Sequence, residues 1–314
     1  MTLTIGVDVG GTKVLAGVVD PEGKVLAETR RNTPAADVSD TLHRIVDAIE
    51  ELAKDRDIEA VGIGAAGWID EKRSTVRFAP NLAWRDEPLR DKVAAQVGLP
   101  VVVENDANVA GWAEFRFGAA EHVDSSLLFT VGTGIGGAVV LGGELVRGGH
   151  GIAAEFGHML AVPDGQLCGC GRRGCLEQYA SGNALVREAR RRASATPDAA
   201  AELLRLTDGD LLRIDGPVVT QAAQAGDEAA REAFAEVGHW LGIGMANLVQ
   251  VLDPDMIVVG GGVIDAGELL LGPARKSCAA ALAQRSRLPY AAIQAAQMGP
   301  HAGVVGAADL ARKR

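Results

Sequence analysis

The chain has 314 residues and is 47% hydrophobic, which is enough apolar sequence to bury the cores of two lobes. Its formal net charge of −10 argues against a nucleic acid or an anionic membrane as a partner. The first apolar strand, Leu3-Thr4-Ile5, begins without a basic leader, so we expect the protein to stay in the cytoplasm. Forty glycines, set mainly in turns between Val/Ile/Leu-rich segments, predict an α/β fold.

The first strand ends in a turn of unusual composition, Asp8-Val9-Gly10-Gly11-Thr12-Lys13, and a second apolar strand follows. The same strand–turn–strand pattern returns at residues 127–141, around Gly132-Thr133-Gly134. Glycines let backbone amides approach an anion and threonine adds a hydroxyl donor, so both turns suit phosphate. A strand follows each turn, whereas a P-loop or a Rossmann turn leads into a helix. Two such turns predict two lobes that bind one nucleotide; ordinary tight hairpins are the alternative.

The elements between the two turns follow from hydrophobic spacing and from Gly and Pro signals. They are a helix over 39–54 capped by Ser39 or Asp40, a strand over 60–66 ending at Gly67, a helix over 88–97, a strand over 101–103, and a helix over 107–117. Residues 125–143 are uncharged but contain six glycines and a central turn, so they predict two buried strands and no membrane span.

The segment Glu104-Asn105-Asp106 joins the Val-rich strand at 101–103 to a predicted helix, and its last residue, Asp106, carries a carboxylate. The carboxyl ends of strands are where α/β sheets place ligands, and phosphoryl transfer to an alcohol uses a carboxylate as proton acceptor. Aspartate before a helix is equally a preferred N-cap. The position of Asp106 alone leaves both roles open.

A metal-binding pattern, H-x9-C-x-C-x4-C, is formed by His158, Cys168, Cys170 and Cys175. One imidazole and three thiolates suit a closed tetrahedral site for structural zinc, without an open position for a reactive water. Unrelated buried thiols are the alternative. The remaining cysteine, Cys278, lies in an alanine-rich segment and is expected in the core.

The rest of the chain is mainly helical by its pattern. Helices are predicted over 183–193, 198–206, 217–225 and 227–250, a strand over 256–259 that opens onto Gly260-Gly261-Gly262, and a final helix over 303–312.

Taken together, the Asp8–Lys13 turn, the Gly132–Gly137 turn and the stretch from Cys168 to Glu177 resemble the ROK family of sugar kinases and repressors. That family lies within the actin/hexokinase/Hsp70 superfamily. The resemblance implies an α/β, two-lobed, actin-like (ribonuclease H-like) ATPase fold, in which each lobe is a mixed sheet with helices and a cleft separates the lobes. Because the second strand–turn–strand unit starts near Leu127, the lobe boundary is predicted around residues 118–124. Residues 1–118, joined by the helix at 303–314, then form an N-terminal lobe, and residues 119–302, with the zinc loop, form a C-terminal lobe.

The resemblance also implies an activity: transfer of a phosphoryl group from Mg-ATP to the 6-hydroxyl of D-glucose. Asp106 then corresponds to the family's catalytic base. The sugar-binding positions correspond to Gly67, Asn81, Asn105, Asp106, Glu155, His158 and Glu177. The nucleotide-binding positions correspond to Asp8, which holds magnesium, and to Gly10, Gly11, Thr12, Lys13, Thr133, Gly134, Gly260, Gly261 and Gly262. The zinc ligands are the histidine and three cysteines above.

Three alternatives stay open at this point. A kinase of the same family acting on another sugar, such as N-acetylmannosamine or fructose, would share every motif. A sugar-sensing repressor would carry a helix-turn-helix before the first strand, and an actin- or chaperone-like module would not need the cluster from Glu155 to Glu177. Ala66 stands where relatives usually have proline, which predicts a softer loop but no loss of activity. The family resemblance further implies a homodimer or homotetramer.

Overall fold

The computed structural model describes residues 2–285 and 288–313. The thirteen strands, in chain order, are β1 (Leu3–Val9), β2 (Lys13–Val19), β3 (Val25–Asn32), β4 (Ile58–Ala65), β5 (Trp68–Ile69), β6 (Val76–Phe78), β7 (Arg85–Glu87), β8 (Val101–Asn105), β9 (Ser126–Val131), β10 (Ile135–Leu141), β11 (Glu144–Leu145), β12 (Met256–Gly260) and β13 (Ala292–Ala295) in the described part of the chain.

Ten α-helices lie among the described residues. They are α1 (Val38–Ala53), α2 (Leu89–Val97), α3 (Asp106–Phe117), α4 (Glu177–Ala180), α5 (Gly182–Ala195), α6 (Ala201–Leu206), α7 (Gly216–Ala225), α8 (Glu228–Leu252), α9 (Glu268–Ala281) and α10 (Ala302–Arg312).

The chain divides into two compact units. Unit 1 consists of residues 1–128, 138–154 and 296–314, and unit 2 of residues 129–137 and 155–295. The predicted N-terminal lobe begins at Met1, and the helix predicted to join it ends at Arg314. Both of these residues lie outside the described part of the chain. The predicted lobe boundaries at 118 and 302 stay a prediction.

The main sheet of unit 1 has the strand order β3-β2-β1-β4-β8. β1 and β2 form an antiparallel pair, whereas β1, β4 and β8 run parallel. In the parallel register Val9 lies opposite Ala65, and Ala65 lies opposite Asn105. The carboxyl ends of all three parallel strands therefore meet at one edge of the sheet, which is where α/β sheets place ligands.

Both faces of this sheet are covered. The apolar positions of α1, including Ile45 and Ile49, are fully buried and join a core cluster with Ile5, Val7 and Ile63 of the strands. On the other face α10 lies against the strand backbone at two glycines of β1 and β4. A Cβ added at Gly6 would lie 1.8 Å from the Val304 carbonyl oxygen, and one at Gly62 would lie 1.8 Å from that of Ala307. Only glycine permits such close packing of a helix on a sheet.

The second five-stranded sheet has the order β11-β10-β9-β12-β13, and a small three-stranded sheet joins β5, β6 and β7. The predicted repeat of strand, turn and strand is confirmed, since β9 and β10 flank the Gly132–Gly134 turn as β1 and β2 flank the Gly10–Thr12 turn. None of the described helices combines the length and apolarity that a membrane span requires.

The predicted elements agree with the structure except at particular places. The N-cap of α1 is Asp37, whose side chain accepts a hydrogen bond from the Asp40 amide, and not Ser39 or Asp40. The prediction failed there because three neighbouring residues are all good caps. The elements that were not predicted are the short strands β5 to β7, β11 and β13, the short helix α4, and α9, whose interior contains Gly272 and Pro273.

Candidate functional site

Asp106 lies at the carboxyl end of β8, where the chain enters α3. Asn105, and not Asp106, caps this helix, because the Asn105 side chain accepts a hydrogen bond from the Asn108 amide at 3.0 Å. Two donors fix the orientation of the aspartate: Asn105 Nδ2 at 3.0 Å and the Ala107 amide at 2.9 Å both reach Asp106 Oδ1. The capping role that competed with a functional role is thus taken by its neighbour.

The surroundings of Asp106 favour a proton acceptor. Burial raises the pKa of its carboxyl, and the hydrogen bonds from Ala107 and Asn105 offset only part of that rise. A carboxylate with a raised pKa binds a proton more readily than a free one, as a general base requires.

Asn105 also joins the base to the loop after β4. Its Nδ2 donates to the Gly67 carbonyl oxygen at 3.0 Å. Gly67 has φ of 142°, and a Cβ there would lie 2.3 Å from the Phe78 carbonyl oxygen, so no other residue fits. The loop after β6 carries Asn81, which packs against the first glycine-rich turn: a Cβ at Gly11 would lie 3.1 Å from the Asn81 Cβ. Hydrogen bonds thus link Gly67, Asn105 and Asp106, whereas Asn81 lies against Gly11 of the first glycine-rich turn.

The first glycine-rich turn is a closed, anchored structure. The Gly10 amide donates to the Lys13 carbonyl oxygen at 3.0 Å. Thr33, just beyond β3, binds the turn twice, through its amide to the Thr12 carbonyl oxygen and through Oγ1 to the Gly10 carbonyl oxygen. This anchoring holds the turn in one conformation and so favours a phosphate site over a simple hairpin.

Asp8 lies at the end of β1 beside this turn. Burial, together with the negative charge of Asp106, raises its pKa from 3.8 to about 6, although the positive charge of Lys13 opposes the rise. Two acidic groups that repel each other in a buried setting favour a bound cation between or beside them. Carboxylate oxygens are the ligands that magnesium prefers, so Asp8 fits the predicted magnesium position.

The second glycine-rich turn lies in unit 2 and is anchored in the same manner. The Gly132 amide donates to the Gly134 carbonyl oxygen at 3.0 Å, and the Gly182 amide donates to the Gly132 carbonyl oxygen at 2.7 Å. Beside it, β12 neighbours β9 in the sheet and leads into Gly260, Gly261 and Gly262. Gly261 has φ of 88°, and a Cβ there would lie 2.5 Å from the Val131 carbonyl oxygen. The glycine segment after β12 therefore packs against Val131, the residue that precedes the second glycine-rich turn.

The four predicted metal ligands come together in unit 2. One donor atom from each of His158, Cys168, Cys170 and Cys175 lies within 4.8 Å of the others. The Cys170 and Cys175 sulfurs are 3.6 Å apart, and the Cys168 sulfur is 3.8 Å from His158 Nδ1. A zinc–sulfur bond of about 2.3 Å gives tetrahedral ligand–ligand distances of roughly 3.8 Å, so the donor set and its spacing fit zinc. All three cysteines are free of disulfides.

The carboxylates predicted to contact sugar lie around this cluster. Glu155 Oε2 is 3.9 Å from His158 Nε2, on the ring edge opposite the nitrogen that faces Cys168. Glu177 Oε1 is 2.9 Å from the Cys168 sulfur, and a Cβ at Gly134 would lie 2.6 Å from Glu177 Oε2. Glu177 thus touches both the metal loop and the second phosphate turn.

Sequence reasoning missed one pair, Glu104 and Arg147. Glu104 is 1% exposed, and its Oε2 accepts a hydrogen bond from Arg147 Nε at 2.6 Å. A glutamate inside a buried strand signals that a cation must lie nearby. Nothing local in the sequence indicates which cation, because 43 residues separate the partners.

Comparison with known proteins agrees with this geometry. Residues 4–314 match the sequence profile of the ROK family. The chain belongs to the ROK family. It is 51% identical to the glucokinase of Streptomyces coelicolor over 313 residues, covering 100% of this chain and 98% of that protein. It is 36% identical to the glucokinase of Thermotoga maritima, covering 99% of this chain and 97% of that protein.

A solved structure of the ROK family is similar along the whole chain. The ROK family glucokinase from Streptomyces griseus, crystallised in complex with glucose and AMPPNP, matches with a TM-score of 0.89 and 54% identity. The match covers 99% of this chain and 100% of the other. The two-domain actin-like α/β fold implied by the sequence motifs is therefore confirmed.

Proposed function

We propose that the protein is an ATP-dependent hexose kinase that transfers the terminal phosphoryl group of ATP to the 6-hydroxyl of D-glucose. The observation that carries the proposal is Asp106, which is set at a strand end with one oxygen held by two donors and with its pKa raised by burial. Glucokinases are 51% identical over the full length of this chain, and that similarity selects glucose among the possible acceptors.

In the proposed reaction Asp106 accepts the proton of the sugar's 6-hydroxyl as that oxygen bonds to the γ-phosphorus of ATP, while the bond from this phosphorus to the bridging oxygen breaks and ADP leaves. Asn105 and Ala107 hold Oδ1, so Oδ2 is the oxygen assigned to the proton. The transferred group needs compensation of its charge and the reacting atoms need alignment, which together provide most of the catalysis in phosphoryl transfer. We assign the nucleotide's phosphates to the amides of Gly10, Gly11 and Gly134 and to the hydroxyls of Thr12 and Thr133. Lys13 and Gly260–Gly262 are assigned to the same nucleotide.

Magnesium bound at Asp8 would supply the positive charge that neutralises the phosphates. The raised pKa of Asp8 supports this assignment, because a buried carboxyl beside Asp106 gains from a cation. Zinc held by His158, Cys168, Cys170 and Cys175 would cross-link the loop and has no open position for substrate. We assign His158 to the sugar as well as to zinc, because its Nδ1 faces the cysteines while its Nε2 faces Glu155.

We assign recognition of the sugar's hydroxyl groups to side chains that present amides, carboxylates and one imidazole. These side chains belong to Asn81, Asn105, Glu155, His158 and Glu177. Gly67 is assigned to the sugar through its backbone. Free thiols that suit a zinc ion support a reducing compartment, the cytoplasm. A homodimer or homotetramer stays a prediction from the family resemblance, and native mass spectrometry tests it.

A turnover panel tests the proposal. Purified protein is assayed with D-glucose, N-acetylmannosamine and fructose, each with Mg-ATP or polyphosphate, and the sugar phosphate is identified by NMR. We expect the highest kcat/KM with glucose and ATP and phosphorylation at position 6. Efficient turnover of another sugar with little turnover of glucose would contradict the assignment of the substrate. Operator-DNA binding without phosphorylation of any sugar would favour the repressor alternative.

A further inference from the structure

The proposed base lies two residues after a buried carboxylate, that of Glu104, which has none of the roles described above. Glu104 is 1% exposed at the end of β8. Its Oε1 accepts the Asn105 amide at 2.9 Å and Asn108 Nδ2 at 3.0 Å. The first donor is the backbone amide of the residue before Asp106 and the second is a side-chain amide in the first turn of α3, so the Glu104 carboxylate holds the chain before the base and a side chain after it.

The other oxygen of Glu104 is neutralised by two arginines. Arg147 Nε lies 2.6 Å and Arg73 Nε 3.2 Å from Oε2. The Arg147 side chain is 12% exposed and that of Arg73 is 26% exposed, so Arg147 is the more desolvated partner. A charge-assisted hydrogen bond of this length in a buried setting is among the strong ones, and its loss leaves an unpaired buried charge.

Arg147 also connects Glu104 to a neighbouring turn of the chain. Its two terminal nitrogens donate to the carbonyl oxygens of Glu71, at 2.9 Å, and Asp70, at 2.8 Å. The Asp70–Thr75 turn is itself closed by the buried Asp70 side chain, which accepts the Ser74 and Thr75 amides. One guanidinium group thus ties the turn after β5 to the strand end that carries the proposed base.

We propose that Glu104 and Arg147 act as one positioning pair that holds Asp106 in its reactive orientation. The inference rests on the proposed function, because it assumes that Asp106 is the base. A chain of four contacts runs from the anchored turn through Arg147, Glu104 and Asn105 to Asp106 Oδ1. Misplacement of a reacting group by about 1 Å can reduce a rate on the order of a hundredfold, so such a pair affects turnover without touching substrate.

The variants Glu104→Gln and Arg147→Met test the pair. In E104Q the amide oxygen can serve Asn105 and Asn108, but the amide NH2 then faces the N–H donors of Arg147 and Arg73. We expect kcat to fall about 10- to 100-fold in each variant, while the KM values for glucose and ATP change by less than about threefold. In the double variant the two losses should not multiply, because both remove the same interaction.

Asp309→Asn is the matched control. Asp309 is 4% exposed, and its carboxylate likewise serves two arginines, Arg116 and Arg312, and one neutral donor, Trp112. This control should lower Tm about as much as E104Q does but keep kcat within about twofold of wild type, because the hydrogen bonds and ion pairs of Asp309 reach Trp112, Arg116 and Arg312 rather than the segment that holds the base. Arg147→Lys keeps the charge without the fork that reaches two carbonyls, so it should give an intermediate kcat.

The outcomes separate the two proposals. A wild-type protein that phosphorylates no hexose refutes the proposed function and this inference together. An active wild type whose E104Q and R147M variants match D309N in kcat refutes the inference alone, as do losses that multiply in the double variant. Should E104Q fail to fold, R147K and R147M test the positioning role. A fall in kcat with nearly unchanged KM values would support that role, and an unchanged kcat would refute it.

Discussion

Replacement of Asp8 by asparagine should stabilise the protein and at the same time impair its use of Mg-ATP. Burial and the charge of Asp106 raise the pKa of Asp8 from 3.8 to about 6. Each pKa unit corresponds to about 1.4 kcal/mol, so ionised Asp8 lowers the free energy of unfolding at neutral pH by at most about 3 kcal/mol. Asparagine is nearly isosteric and carries no charge, so D8N should regain much of that energy.

The pH dependence of this effect has a definite sign. Because the native pKa of Asp8 is the raised one, the native state binds more protons than the unfolded state between about pH 4 and pH 6. The destabilisation is therefore full above pH 6, shrinks as the pH falls, and vanishes below the unfolded pKa. Without nucleotide or magnesium, D8N should raise Tm by several degrees at pH 7.5 and by roughly half as much at pH 5.

Thermal unfolding followed by circular dichroism at both pH values measures the effect. Asp70→Asn is the control of opposite sign. Burial favours a raised pKa for Asp70, but hydrogen bonds from Ser74 and Thr75 outweigh burial and lower it. D70N should therefore lower Tm at neutral pH. A D8N protein that is less stable than wild type at pH 7.5, or equally stabilised at both pH values, would refute this reasoning. A steady-state assay of D8N should also show a higher KM for ATP.

Three further predictions concern the metal loop, the second turn and the base. Treatment with a strong chelator, with loss of the proposed zinc checked by elemental analysis, should increase hydrogen exchange over residues 157–177 and reduce activity, whereas full activity of a verified metal-free enzyme would contradict the proposed role of the metal. Gly134→Ala places a Cβ 2.6 Å from Glu177 Oε2, so the end of the Glu177 side chain must shift and the KM for glucose should rise, while Gly272→Ala, whose Cβ would lie 3.7 Å from Glu268 Oε2, should change it little. Because burial raises the pKa of Asp106, kcat should begin to fall on the acid side at a higher pH than the 3.8 of an unperturbed aspartate; a kcat that stays constant down to that pH would count against a general base at this position.

Much of the fold could be predicted because its signals are local. The apolar period of α1, the two glycine-rich turns and the spacing of His158 and the three cysteines each lie within a short stretch of sequence. The small sheet of β5 to β7 could not be predicted, since its strands have only two or three residues. Helix α9 was missed because Gly272 and Pro273 interrupt its pattern, although the proline is accommodated inside the helix.

The residues of the proposed site come from the sequence, whereas the contacts among them come from the structure. Sequence alone left Asp106 undecided between base and helix cap, and the structure assigns the cap to Asn105. The contacts of Gly134 with Glu177 and of Glu104 with Arg147 depend on how distant segments pack, which no local pattern records. Glu104 carried a signal, a charge inside a buried strand, but its partner could be found only in three dimensions.

The measurement that tests the central claim most directly is the activity of Asp106→Asn with glucose and Mg-ATP, together with glucose binding by calorimetry. Asparagine keeps the size of the side chain and can still accept the hydrogen bonds from Asn105 and Ala107, but it cannot take a proton at the reacting oxygen. We predict a kcat lower on the order of a thousandfold, with glucose affinity within a few fold of wild type. A D106N enzyme that turns over glucose within a few fold of the wild-type rate would contradict the account.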